Sequence, residues 1–152
     1  MFDLFRKKKD QFFSAAEQEK ILAAIQESEK QTSGEVRVFV EGKCRFVDPL
    51  DRAKEVFYVL KMNETKLHNA VVVYVAMKDK QLAVFADEGI YVKAGKEFWN
   101  KEVQNMLAQF NSKNYADGIA GIVKDIGASL AYHFPYDGTT DKNELPDEIV
   151  FG

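Results

Sequence analysis

With 152 residues, 46% hydrophobic and 30% charged, the chain is long enough to bury one core and has the balance of a soluble globule. A net charge of −3 argues against a nucleic-acid partner, which requires a basic face, and a single cysteine, Cys44, excludes an intramolecular disulfide. No stretch approaches the roughly 18 uninterrupted apolar residues of a membrane span, so a reducing, cytoplasmic location is expected.

The arm Met1-Phe-Asp-Leu-Phe-Arg-Lys-Lys-Lys9 has its basic run after its apolar residues, the reverse of a secretory signal. Residues 1–11 read as an N-terminal arm, and residues 1–9 would give at most weak contact with an anionic membrane. Ser14-Ala-Ala-Glu17 is a capping box opening a helix. Ile21, Leu22 and Ile25 form its apolar face, Gln26, Glu29 and Lys30 its polar one, and Gly34 is expected to end it. Val36, Val38 and Val40 alternate with Arg37, Phe39 and Glu41 as in a strand. Cys44, between Lys43 and Arg45, reads as incidental. Asp48-Pro49 supplies an N-cap and first residue for a second helix, with Leu50, Ala53, Phe57 and Leu60 as its buried stripe.

Asn63–Asn69 is a polar connection. Ala70–Ala76 is apolar nearly throughout, which predicts a central strand covered on both faces. Met77-Lys-Asp-Lys80 turns it into a hairpin with Gln81–Ala86. Trp99, Val103, Met106, Leu107 and Phe110, then Ile119, Ile122, Val123, Ile126 and Leu130, recur at helical spacing around a loop at Asn111–Asn114. Residues 136–152 read as an acidic, extended tail. The order predicts one α/β domain over residues 12–135: a mixed β-sheet sandwiched by α-helices on both faces. A short fourth strand is expected at Ile90–Val92 or Lys43–Phe46.

Chemistry concentrates in the acidic positions. Asp87 and Glu88 end the apolar strand that precedes them, with Gly89 allowing a turn. Glu35 stands where a helix hands over to a strand, and Asp117 begins the last helix. Oxygen ligands alone select calcium or magnesium. There is no Asp-x-Asp-x-Asp-Gly loop, so an EF-hand is excluded. Whether Glu35 meets Asp87 depends on strand direction: if the first and third strands run the same way, their ends do not coincide. Asp87, Glu88 and a residue of the last helix are then the safer trio. His68 has no acid partner at close spacing, and His133 reads as a helix-end cation. Gly-x-Ser-x-Gly, a phosphate loop and a Cys-x5-Arg loop are all missing, which leaves no nucleophile.

Thr32-Ser-Gly-Glu35, Ala70–Ala76, Asp87-Glu-Gly-Ile90, Trp99 and Tyr115-Ala-Asp-Gly-Ile119 occur in that order. The set resembles the TPM domain, the module of thylakoid-lumen photosystem II repair proteins and of a nematode acetylcholine-receptor modulator. The resemblance covers about residues 12–135 and implies an α/β sandwich with a divalent-metal site, usually calcium, and an acid-phosphatase activity. Many relatives carry a signal peptide and a membrane anchor, and neither is seen in these residues. The expectation is a monomeric module that binds Ca2+ (or Mg2+) through Asp87, Glu88, Asp117 and Glu35. It would act through an unidentified protein partner without catalysis of its own. The alternative is a metal-dependent phosphomonoesterase using the same carboxylates.

Overall fold

The computed structural model describes residues 12–136 and 148–152; the basic arm and tail residues 137–147 lie outside the described residues. Helix α1 (Ala15–Lys30) opens with the expected capping box: Ser14 Oγ accepts the Glu17 N–H and Glu17 Oε1 accepts that of Ser14. It stops at Lys30, where the Gln31 N–H bonds to Ser28 O, three residues before Gly34. Gly34 serves a close approach instead, since a Cβ there would stand 2.7 Å from Leu130 Cδ2 and 3.0 Å from Asn69 O.

Strand β1 (Glu35–Glu41) leads to α2 (Pro49–Val59), whose N-cap Asp48 accepts the Leu50 N–H at 2.9 Å. A short 3-10 turn, Met62–Glu64, precedes β2 (Ala70–Ala76), which turns back into β3 (Gln81–Ala86). Three helices follow: α3 (Glu88–Ala94), α4 (Lys96–Asn111) and α5 (Tyr115–His133). Strand β4 (Ile149–Phe151) closes the described chain.

The sheet order is β3-β2-β1-β4, with β1 parallel to both β2 and β4 and β2 antiparallel to β3. The fourth strand is thus neither of the expected segments. Lys43–Phe46 forms no strand, and Ile90–Val92 lies within α3 because Asp87 caps a helix there. Ile149–Phe151 instead extends the edge of β1, in register with Val38–Val40.

Alternation along the strands makes two cores. Val36, Val38, Val40, Val71, Val73 and Val75 face α1, α4 and α5, while Phe39, Val72 and Tyr74 face α2. Helices therefore cover both faces, as the apolar run of β2 requires. The stripe on α2 is Ala53, Val56 and Phe57, and Leu50 is largely exposed. Glu29 departs from its expected polar face: it is buried, and its Oε1 accepts the Val36 N–H at 3.2 Å, tying α1 to the start of β1. No helix among the described residues is long and apolar enough to cross a membrane.

Candidate functional site

Strand direction decides what the acidic residues can do. Because β1 runs with β2 and β3 runs against it, the start of β1 and the end of β3 share one end of the sheet. Glu35 pairs with Ala70 in register, and the Asp87 N–H donates to Ala70 O at 2.9 Å. Glu35, Ala70 and Asp87 thus form one row across three strands, on the face that carries α2. Two strand spacings put the outer backbones about 10 Å apart, with only a methyl side chain between them. Glu35 is 1% exposed and beside Arg37, whose guanidinium burial and the nearby Glu148 and Glu35 charges affect in opposite senses. The net effect on Arg37 is a lowered pKa, with burial the largest cause.

Asp87 does not project loosely from a turn. It caps α3, with Oδ1 accepting the Glu88 N–H at 2.8 Å and Oδ2 standing 3.2 Å from His68 Nδ1. The pair joins residues nineteen positions apart in sequence, which is why spacing around His68 gave no sign of it. Gly89 lies in the first turn of α3, and a Cβ there would run into the carbonyl oxygens of Leu67 and His68. His68 itself sits at φ 51°, so the hairpin end and the preceding loop are locked against each other at this point. Asn69 is buried at the same end, and neither of its side-chain amide atoms has a hydrogen-bond partner among the described residues.

A groove of about 870 Å³ runs from Asp87, His68 and the exposed Glu88 along β3, walled by Tyr58, Tyr91 and Trp99. The walls are rigid. Trp99 Nε1 donates to Tyr91 O at 3.2 Å, and the two rings are nearly parallel, while Phe57 meets Phe85 edge-on at 4.9 Å. β3 is the edge strand on this side among the described residues. Since Asp87 bonds toward β2, the alternating residues Ala86, Val84 and Leu82 direct their N–H and C=O groups outward, into the groove.

Asp117 does not join this end. It bonds to Lys20 Nζ at 2.5 Å in an ion pair more than half exposed, which raises the Lys20 pKa. It lines a separate groove between α4 and α5 with Glu102 and Asp125. Among the described residues, no three His, Cys, Asp or Glu side chains converge on one point. His133 ends α5 against Tyr132.

At the opposite end of the sheet, Arg52 makes a two-pronged bond to Glu41 at 2.9 and 3.0 Å and a further one to Glu55, while Tyr74 Oη donates to Glu41. Burial would push the Glu41 carboxyl up, but the bonds from Arg52 and Tyr74 outweigh it and the net pKa is lowered. This network clamps α2 to the sheet and engages both oxygens of Glu41.

A chain of this fold invites comparison. BA42 protein from the psychrophilic bacterium Bizionia argentinensis, solved by NMR, is similar, with 38% identity, a TM-score of 0.84 and coverage of 93% of this chain and 96% of that one. The N-terminal domain of cg2496 protein from Corynebacterium glutamicum shares the fold at 13% identity and TM-score 0.62, over 78% of this chain and 74% of that one. No functionally curated protein matches the chain. Residues 7–129 match the family model of the TPM domain, and the chain belongs to the TPM domain family.

Proposed function

We propose that the chain is a non-catalytic binding module. In this reading the groove along the open edge of β3 receives an extended segment of a protein partner, and calcium is held at the groove's end by Asp87 with Glu35. The observation that carries the reading is the row that Glu35 and Asp87 share at one end of the sheet, with Asp87 also lining that groove. The outward backbone groups of Leu82, Val84 and Ala86 offer a ladder to a partner strand, and the aromatic walls offer pockets for its alternate side chains. The donors at the row are hard oxygens, which suit calcium or magnesium. Glu88 lies at the rim, and Asp117 is too separately placed to contribute.

Both Asp87 oxygens are engaged, so a cation must take Oδ2 from His68. Two carboxylates make a weak site, with a dissociation constant on the order of 10⁻⁴–10⁻³ M. Millimolar calcium is therefore expected to raise the melting temperature by mass action and to shift the His68 imidazole and the Asp87–Gly89 amides in NMR spectra. Asp87→Asn should remove both responses. Calcium that leaves the melting curve and these resonances unmoved would rule the site out.

One observation favours a second reading. The Asp87–His68 pair resembles an acid that orients an imidazole, the arrangement a phosphomonoesterase would use for proton transfer. No serine, cysteine or threonine nucleophile stands beside it among the groove residues. Turnover of a generic phosphate ester is expected to be negligible in purified protein. A robust rate abolished by both Asp87→Asn and His68→Gln, with the fold intact, would establish the phosphatase in place of the binding module.

A further inference from the structure

The groove between α4 and α5, about 350 Å³, is distinct from the one along β3. On α4 it is lined by Glu102, Asn105 and Gln109, and on α5 by Gly118, Gly121 and Asp125. Each set falls on one helical face by spacing. The two glycines keep it open. A Cβ on Gly118 would stand 2.9 Å from Gln109 Cβ, and a Cβ on Gly121 would meet nothing within 4 Å.

Glu102 is the unexpected member. It is only 7% exposed, and its Oε2 is buried without a hydrogen-bond partner among the described residues. The Asp125 carboxyl, another acceptor, lines the same groove and adds to burial in raising the Glu102 pKa, and Lys101 is a cation that acts against it. A buried carboxylate that faces a second one at the exposed rim of the same groove is favoured by something positive between them, either a proton or a metal ion.

We propose that the α4–α5 groove is a divalent-cation site, in which Glu102 and Asp125 share one magnesium or calcium ion and water completes its shell. Magnesium asks for no more than one or two protein carboxylates and keeps several of its waters, so a two-carboxylate cleft open to solvent suits it. The Asn105 and Gln109 amides line the same opening and supply neutral oxygens to the outer shell. Lys20 holds Asp117 at the far rim, which leaves Glu102 and Asp125 as the ligands.

The test is a titration of the full chain with Mg2+ alone and with Ca2+ alone at pH 7.5, followed by amide and side-chain carboxyl NMR. Saturable shifts of the Glu102 and Asp125 carboxyl carbons are expected, with a midpoint on the order of 10⁻⁴–10⁻³ M. Because the ion competes with protons for the carboxylates, affinity should fall as the pH is lowered. Glu102→Gln should weaken binding at least tenfold. Asp125→Asn, on the exposed rim, serves the same purpose if the buried change perturbs folding. Asp87→Asn should leave these shifts untouched, so this site and the one at β3 stand or fall separately. Carboxyl signals that answer pH but neither cation would mean that the pair holds a proton only, and the proposal would be overturned. So would an undiminished cation response in the Glu102→Gln, Asp125→Asn double variant.

Discussion

Gly127→Ala is expected to destabilise the fold by about 2–4 kcal/mol. Helices α1 and α5 cross at Ser28 and Gly127. A Cβ added at Gly127 would overlap Ser28 Oγ and Cβ and stand 3.2 Å from Ser28 Cα, so backbone as well as side chain is in the way. Ser28 cannot simply turn aside, because its buried hydroxyl donates to Val123 O at 3.2 Å. Either the helices separate, at the roughly 1–3 kcal/mol typical of overpacking, or the hydroxyl is left unsatisfied at a similar cost. Alanine's better helix propensity returns only about 1 kcal/mol.

The control lies two turns earlier on the same helix. Gly121→Ala meets nothing within 4 Å and should stabilise by about 0.5–1 kcal/mol through propensity alone. Urea denaturation separates the two, since each should move the midpoint without changing the slope. If both glycine variants shifted stability in the same direction, the account of the α1–α5 crossing would be wrong.

The same crossing illustrates what a sequence can and cannot disclose. Local signals carried well. The Ser14–Glu17 capping box, the Asp48-Pro49 start, the alternation of β1 and the hairpin turn at Met77–Lys80 each depend on neighbours within a few residues, and each formed as expected. The apolar run of Ala70–Ala76 disclosed its central place because burial on both faces leaves no polar alternation.

What failed to show depends on distant partners. Ile149–Phe151 has only three residues of strand pattern, and pairing with β1 makes it a strand. Glu29 reads as part of a solvated face because a charge at helical spacing usually is one, and Glu102, among the apolar positions Trp99, Val103 and Met106, carries no local mark of burial. Their burial depends on contacts remote in sequence: β1 docks on Glu29, and α5 packs beside the face of α4 that carries Glu102. The candidate site was legible as a list of carboxylates but not as a place. Whether Glu35 and Asp87 share an end depends on the direction of β1 relative to β3, and His68 reaches Asp87 only through the folded hairpin.

Around neutral pH the largest effect among the described residues is expected from Glu102. Burial first, and the Asp125 carboxyl second, push its pKa from an ordinary 4.5 up to about 7. Between those values the folded chain keeps a proton that the unfolded chain releases, so stability must fall as pH rises through the window. Below about 4.5 both states are protonated and the contribution is complete; above about 7 it is gone. Glu41 acts in the opposite sense and elsewhere on the scale. Its lowered pKa gives stability above the ordinary glutamate value that is lost as pH falls below it. With metal removed by EDTA, the melting temperature should therefore peak near pH 5 and decline toward pH 8. Glu102→Gln keeps the shape and the neutral hydrogen-bonding group, so it should flatten that decline and melt higher than the parent at pH 8. Added magnesium should flatten it in the parent chain alone, because a cation between Glu102 and Asp125 replaces the missing proton. An unchanged slope in Glu102→Gln would assign the pH dependence to other groups and remove Glu102 from its place as the chain's neutral-pH titrating acid.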